Sequence, residues 1–172
     1  MPTIDELAGE VAALRTRVEA SESILQIHAL KARYADLVDR RFSKGKVVDQ
    51  DTLARTAREI AELFTPDAVW DGGPGLGVAT GRAAIIDRLE HPTLTFSRHL
   101  FVKPVIEVHG DHATATWDLL CPCQRRDGTS FWMCGSEADS YVRMDGAWLH
   151  ETMALTSFFM APVADGFGSI FS

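Results

Sequence analysis

The chain has 172 residues, 46% of them apolar, which suits one domain with a core that needs no metal or disulfide staple. With 17 Lys and Arg against 24 Asp and Glu, the net charge is −7 and no basic run occurs, which argues against nucleic acid as a partner. The start lacks the basic and apolar regions of a secretion signal, and no apolar window reaches the ~18 residues of a membrane span, so a cytoplasmic protein without membrane partners is expected.

Ile4, Leu7, Val11, Leu14 and Val18 recur with alternating three- and four-residue spacing, the pattern of a helix with one apolar seam. Thr3 and Glu6 are placed to form its capping box. Residues 1–20 therefore read as an amphipathic helical arm and residues 21–172 as the domain proper. A second helix is expected from Ser21 or Ser23 through Ile24, Ile27, Leu30, Lys31, Tyr34, Leu37 and Val38, fading near Gly45. Residues 51–64 suit a third, capped by Asp51 or Thr52 and ended by Pro66.

Residues 68–70 read as a short strand, and the glycine-rich stretch 72–77 as a loop, since it lacks the spacing of a dinucleotide cradle. Residues 81–90 suit a short helix. Beyond His91 the pattern is strand-like, with turns at Gly110-Asp111, Asp127-Gly128 and Asp145-Gly146, so consecutive antiparallel hairpins are expected. Helices first and a meander of long strands last indicate an α+β domain with helices on one face of a curved sheet.

Cys121, Cys123 and Cys134 are odd in number, and one residue separates the first two, unlike zinc-ribbon pairs; they read as reduced structural thiols. His28, His91, His109, His112 and Glu151 show no metal-ligand spacing, and no cofactor is expected. Spacing alone leaves the polar candidates open. Asp39 suits a helix-end residue paired with Arg40 or Arg41, His99 a strand histidine, Tyr34 a core residue and Arg143 an exposed residue near a turn.

The run Ser97-Arg98-His99-Leu100-Phe101-Val102-Lys103-Pro104-Val105-Ile106-Glu107-Val108-His109-Gly110-Asp111 resembles the central hairpin of SnoaL-like domains in the NTF2-like superfamily. Tyr141-Val142-Arg143-Met144-Asp145-Gly146-Ala147-Trp148 resembles the next hairpin, and Tyr34 to Asp39 a helix of the same group, so the likeness spans residues 24–159. That group includes bile-acid 7α-dehydratases, hexachlorocyclohexane dehydrochlorinases and scytalone dehydratases. The resemblance implies an α+β cone-shaped barrel, with a strongly curved, mostly antiparallel sheet wrapped around N-terminal helices and a pocket at one end.

It also implies a cofactor-independent lyase of the dehydratase type, acting on a small hydrophobic ring-containing substrate, and a homo-oligomer with trimer ahead of dimer. In such enzymes an aspartate matching Asp39 supports a histidine base matching His99. A tyrosine matching Tyr34 and an arginine matching Arg143 assist the leaving group. Trp117, Trp132, Phe101, Met153 and Phe158 are the expected pocket lining. The alternatives are an isomerase or polyketide-cyclase-type enzyme on the same scaffold, or a non-catalytic module that binds an apolar ligand.

Overall fold

A computed structural model describes residues 1–164 and 167. Helix α1 runs unbroken over Ile4–Asp39, with Thr3 accepting from the Glu6 amide and Glu6 accepting from the Thr3 amide, so the expected capping box forms. The two helices expected here are one. No Gly or Pro interrupts residues 18–23, and the Ser21 and Ser23 hydroxyls donate back to the Arg17 and Glu19 carbonyls instead of capping a new helix. Residues 1–19 are exposed; burial begins beyond them and follows one stripe through Ser23, Ile27, Lys31, Tyr34 and Val38.

The helix stops at Asp39, and Gly45 lies in a small hairpin of β1 (Phe42–Ser43) and β2 (Lys46–Val47). Its turn residues Lys44 and Gly45 both have positive φ, as a two-residue hairpin turn demands. Helix α2 spans Gln50–Ala61 and is capped by Asp49, not Asp51 or Thr52, because the Asp49 carboxylate accepts from the Thr52 amide at 2.9 Å. Pro66 does not end this helix. It lies in β3 (Phe64–Asp71), where the register with β9 shifts and a missing amide costs no ladder bond. A loop through residues 72–77 leads to β4 (Val78–Thr80) and then α3 (Gly81–Glu90).

Strands β5 (Leu94–Ser97), β6 (Leu100–His109), β7 (His112–Arg125), β8 (Ser130–Met144) and β9 (Ala147–Pro162) follow. The large sheet has the order β4-β3-β9-β8-β7-β5, and β6 shares the β7 edge with β5. All pairings are antiparallel except β3 with β9. The sheet curves around α1 but does not close into a barrel: β4 has three residues, passes directly into α3 and, among the described residues, pairs only with β3.

Strand alternation builds the core. Ala113, Ala115, Trp117, Leu119, Cys121 and Cys123 of β7 point toward the helices, as do Phe131, Met133, Glu137, Asp139 and Tyr141 of β8. One bulge shapes the open end. At Gly135 a Cβ would lie 2.4 Å from the Thr156 carbonyl oxygen, so glycine lets β9 approach there as the register slips between Cys134 and Gly135. Among the described residues, no helix is long and apolar enough to cross a membrane.

Candidate active site

The end of α1 meets the junction between β5 and β6, and this places Asp39 against His99. His99 Nδ1 lies 2.7 Å from Asp39 Oδ1, and the His99 amide donates to Oδ2 at 3.0 Å. The Ser97 hydroxyl adds a third donor at 3.3 Å. A carboxylate held by a main-chain amide at a strand start cannot swing away from the ring, so the imidazole is oriented from both ends of one residue. Arg40 instead pairs with Asp36, and Arg41 donates to the carbonyls of Val38 and Leu89; the charge nearest Asp39 besides His99 is Arg98, at 3.7 Å.

With Nδ1–H donating to Asp39, Nε2 is the nitrogen left to accept a proton. The His99 pKa is raised: burial opposes the imidazolium, but a charged Cys121 sulfur or the Asp39 carboxylate favours it. The Cys121 thiol is itself pushed far above its ordinary range by its hydrogen bond with Cys123 and by burial. Over the neutral range that sulfur carries no charge, and Asp39 is the partner that supports a charged His99.

His99 forms part of the wall of a cavity of about 390 Å³, within the size range of small-ligand sites. Val38, Leu89, Leu94, Phe131 and Met133 make it mainly apolar, while Tyr34, Arg41, Arg88 and Arg125 bring polar atoms to it. Tyr34 and Asp39 sit about 140° apart on α1, and Asp39 does not line this cavity; it acts there through His99, which it holds by hydrogen bond and which shares the wall with Tyr34. The Tyr34 oxygen accepts from Trp70 Nε1 at 3.1 Å, which leaves its own hydroxyl proton free to donate. Burial, then the charge of Glu137, pushes the Tyr34 phenol upward, so it stays protonated. Burial lowers the Arg41 pKa, to about 10, and leaves it cationic at neutral pH.

The other predicted residues are scattered. Arg143 donates to Ser23 and stacks over Trp148 at 4.8 Å. Ser23 precedes Asp39 by 16 residues, about 24 Å along α1, so Arg143 is not brought to the cavity. Trp132 does not line it either, because β8 alternation sends Phe131 and Met133 inward and Trp132 out. Phe158 falls at the β9 bulge and is exposed. Met153 is core, packed with Tyr34 and Phe64. Phe101 and Trp117 line a second cavity of about 360 Å³ between α1 and β6, which Asp39 also lines and which shares His99 with the first. Phe101 also stacks on His99, with ring centroids 6.0 Å apart.

A buried polar cluster went unread in the sequence. Lys31 is 1% exposed, is ion-paired with Glu137 and, at 2.7 Å, with Asp139, and lies 4.2 Å from the Phe101 ring centroid. Tyr141 donates to Asp139 and accepts from Trp117. Burial raises the Asp139 pKa. The His150 ring, wholly buried and in contact with Phe64, Tyr34 and Tyr141, has no hydrogen-bond partner among the described residues, its Nδ1 lying 3.9 Å from Asp139, and burial with nearby Lys31 holds its pKa well below the usual imidazole value. The available signal was the burial period of α1, which places Lys31 on the same stripe as Ile27 and Tyr34. Among the described residues, no group of three or more His, Cys, Asp or Glu is gathered as a metal site would need.

The SnoaL-like domain family model matches residues 19–154. Among solved structures, hexachlorocyclohexane dehydrochlorinase LinA-type3 from Novosphingobium barchaimii is 21% identical, with a TM-score of 0.67 over 83% of this chain and 91% of that one. A candidate scytalone dehydratase from Novosphingobium aromaticivorans is 19% identical, with a TM-score of 0.67 over 82% and 87%. A Mycobacterium tuberculosis protein of unknown function, Rv3472, is 25% identical, with a TM-score of 0.60 over 78% and 71%. The first two share the fold. No curated protein gives a significant match.

Proposed function

The chain belongs to the SnoaL-like domain family, and on that footing we propose that it is a cofactor-independent lyase acting by proton abstraction and elimination on a small hydrophobic ring compound. The observation that carries this reading is the 2.7 Å contact between His99 Nδ1 and Asp39 at the wall of a mainly apolar cavity. His99 in its neutral form, whose share grows as pH rises toward its raised midpoint, takes a proton from a substrate carbon or oxygen through Nε2, and the Asp39 carboxylate stabilises the imidazolium that forms. The electron pair left behind makes the new double bond as the leaving group departs with its own bonding pair.

Tyr34 is the donor available to protonate or hydrogen-bond a departing oxygen, since its hydroxyl proton meets no acceptor among the described residues. The guanidinium groups on the cavity wall can stabilise a departing halide or a developing oxyanion, a role that Arg143 cannot fill from its position. Loss of water or of halide follows this course with the proton taken from carbon; loss of formaldehyde instead starts with a proton taken from a hydroxyl, whose oxygen pair makes the carbonyl of the departing formaldehyde while the pair of the broken C–C bond stays on the substrate and takes up a proton. Fold neighbours that include a dehydrochlorinase support this class of chemistry.

The test incubates the protein with hydroxylated and halogenated ring compounds and follows mass loss and double-bond absorbance. His99→Gln should keep ligand affinity and lose roughly 10²–10⁴-fold in kcat. Wild-type turnover by His99→Gln would sink the lyase reading. Exchange of substrate hydrogen with D₂O and no loss of a group would mark an isomerase, and tight binding without any turnover a ligand-binding module.

A further inference from the structure

We propose that the exposed N-terminal half of α1 pairs with the same segment of a second copy of this chain as a parallel, in-register, two-stranded coiled coil. This goes beyond the family domain, whose match begins at residue 19, and it is independent of the chemistry in the cavity. Residues 4–25 present Ile4, Leu7, Val11, Leu14, Val18 and Leu25, each between 45% and 85% exposed. Their spacing is a heptad pattern in which Ile4, Val11, Val18 and Leu25 take position a, and Leu7, Leu14 and Ser21 take position d. The Ser21 hydroxyl is already satisfied by the Arg17 carbonyl at 2.9 Å, so it can enter such a seam without leaving a bare donor.

The seam points away from its own domain. Val18 precedes the buried Ile27 by nine residues and Leu25 by two, which puts both on roughly the opposite side of α1 from Ile27. A partner helix laid on the seam therefore meets no part of the domain that α1 enters.

The flanking charges select the partner. In a parallel pair, position g of one helix meets position e of the next heptad on the other. Here that sets Glu10 against Arg15 of the partner copy and Arg17 against Glu22 of the partner copy, so both charged pairings are of opposite sign, and symmetry doubles each. β-Branched residues at most a positions, with Leu at d, favour two strands over three. This arm therefore supplies a twofold contact, distinct from the trimer that the family resemblance suggests.

Disulfide trapping on the full chain, in a Cys134→Ser background, tests the arrangement. Leu7→Cys should convert nearly all of the protein into a covalent dimer, because in register Leu7 meets its own copy, whereas Gly9→Cys at the outward f position should not. Glu10→Arg should slow trapping roughly tenfold, and Glu10→Arg with Arg15→Glu should restore it. Trapping of Leu7→Cys no faster than Gly9→Cys overturns parallel register. A residue of about one third untrapped monomer, the mark of a three-stranded bundle, overturns two strands. Equal trapping with and without Glu10→Arg overturns the charge pairing.

Discussion

Replacing Asp39 by Asn tests the proposed site at its pivot, because the amide keeps the shape and removes the charge. The Asp39 carboxylate accepts from His99 Nδ1 at 2.7 Å through Oδ1 and from the His99 amide at 3.0 Å through Oδ2, and an Asn keeps the first acceptor while its NH₂ replaces the second oxygen and cannot accept. An opposite charge at this range is worth about 1–3 pKa units to an imidazole. Each unit corresponds to about 1.4 kcal/mol, so the change removes about 1.4–4 kcal/mol of support for the imidazolium. If that support is fully expressed in the transition state, kcat falls roughly 10–10³-fold. The assay is a nitrogen-detected NMR titration of the six histidines, with His99 assigned by its loss in His99→Gln. The wild-type His99 midpoint should lie above 6.5 and move down in Asp39→Asn. Because the base must be neutral, wild-type turnover should rise with pH through that midpoint, and the acidic limb of the profile should move to lower pH in the variant. An unmoved His99 midpoint in Asp39→Asn would refute the electrostatic coupling on which the mechanism rests.

Three further outcomes follow from the same packing. Lys31→Met leaves Glu137 and Asp139 buried without their cation and should cost about 3–5 kcal/mol in denaturant unfolding, with partial recovery when Glu137→Gln is added; a loss below about 1 kcal/mol would contradict the buried pairing. His150 is held neutral in the fold, below its ordinary 6.5. The unfolded chain therefore binds a proton that the native state refuses, and stability should fall as pH drops below 6.5, by about 1.4 kcal/mol per unit. His150→Phe, which loses no hydrogen bond, should flatten that slope relative to wild type. Arg143→Ala should change kcat/KM by less than about twofold, while the loss of its Ser23 bond and Trp148 contact costs about 1–2 kcal/mol of stability. A large loss of turnover in a stable Arg143→Ala protein would return that residue to the site.

The sequence by itself determined the class of fold and the local elements, because these depend on periodicity and turn chemistry within a few residues of one another. The Thr3–Glu6 capping box, α3 and the three tight turns of the β6–β9 meander lie where their residues place them. Asp39 and His99 became candidates only through the likeness of two separate segments to one family. Sixty residues separate them, and their hydrogen bond exists because the end of α1 meets the β5–β6 junction.

Tertiary structure alone decided the rest. Alternation along β8 defines two faces without saying which is inside, so Trp132 and Arg143 could not be placed, and the bulge opposite Gly135 moved Phe158 out of phase. Lys31 reads locally as one more helix lysine; Glu137 and Asp139, more than a hundred residues away, turn it into a buried cation. The exposed seam of α1 shows the converse: its heptad is plain in the sequence, but only the packing of Ile27 shows that this face is turned away from the domain. A side chain's neighbours along the chain set its conformational preferences, whereas its charge state, burial and chemistry are set by whatever the fold brings against it.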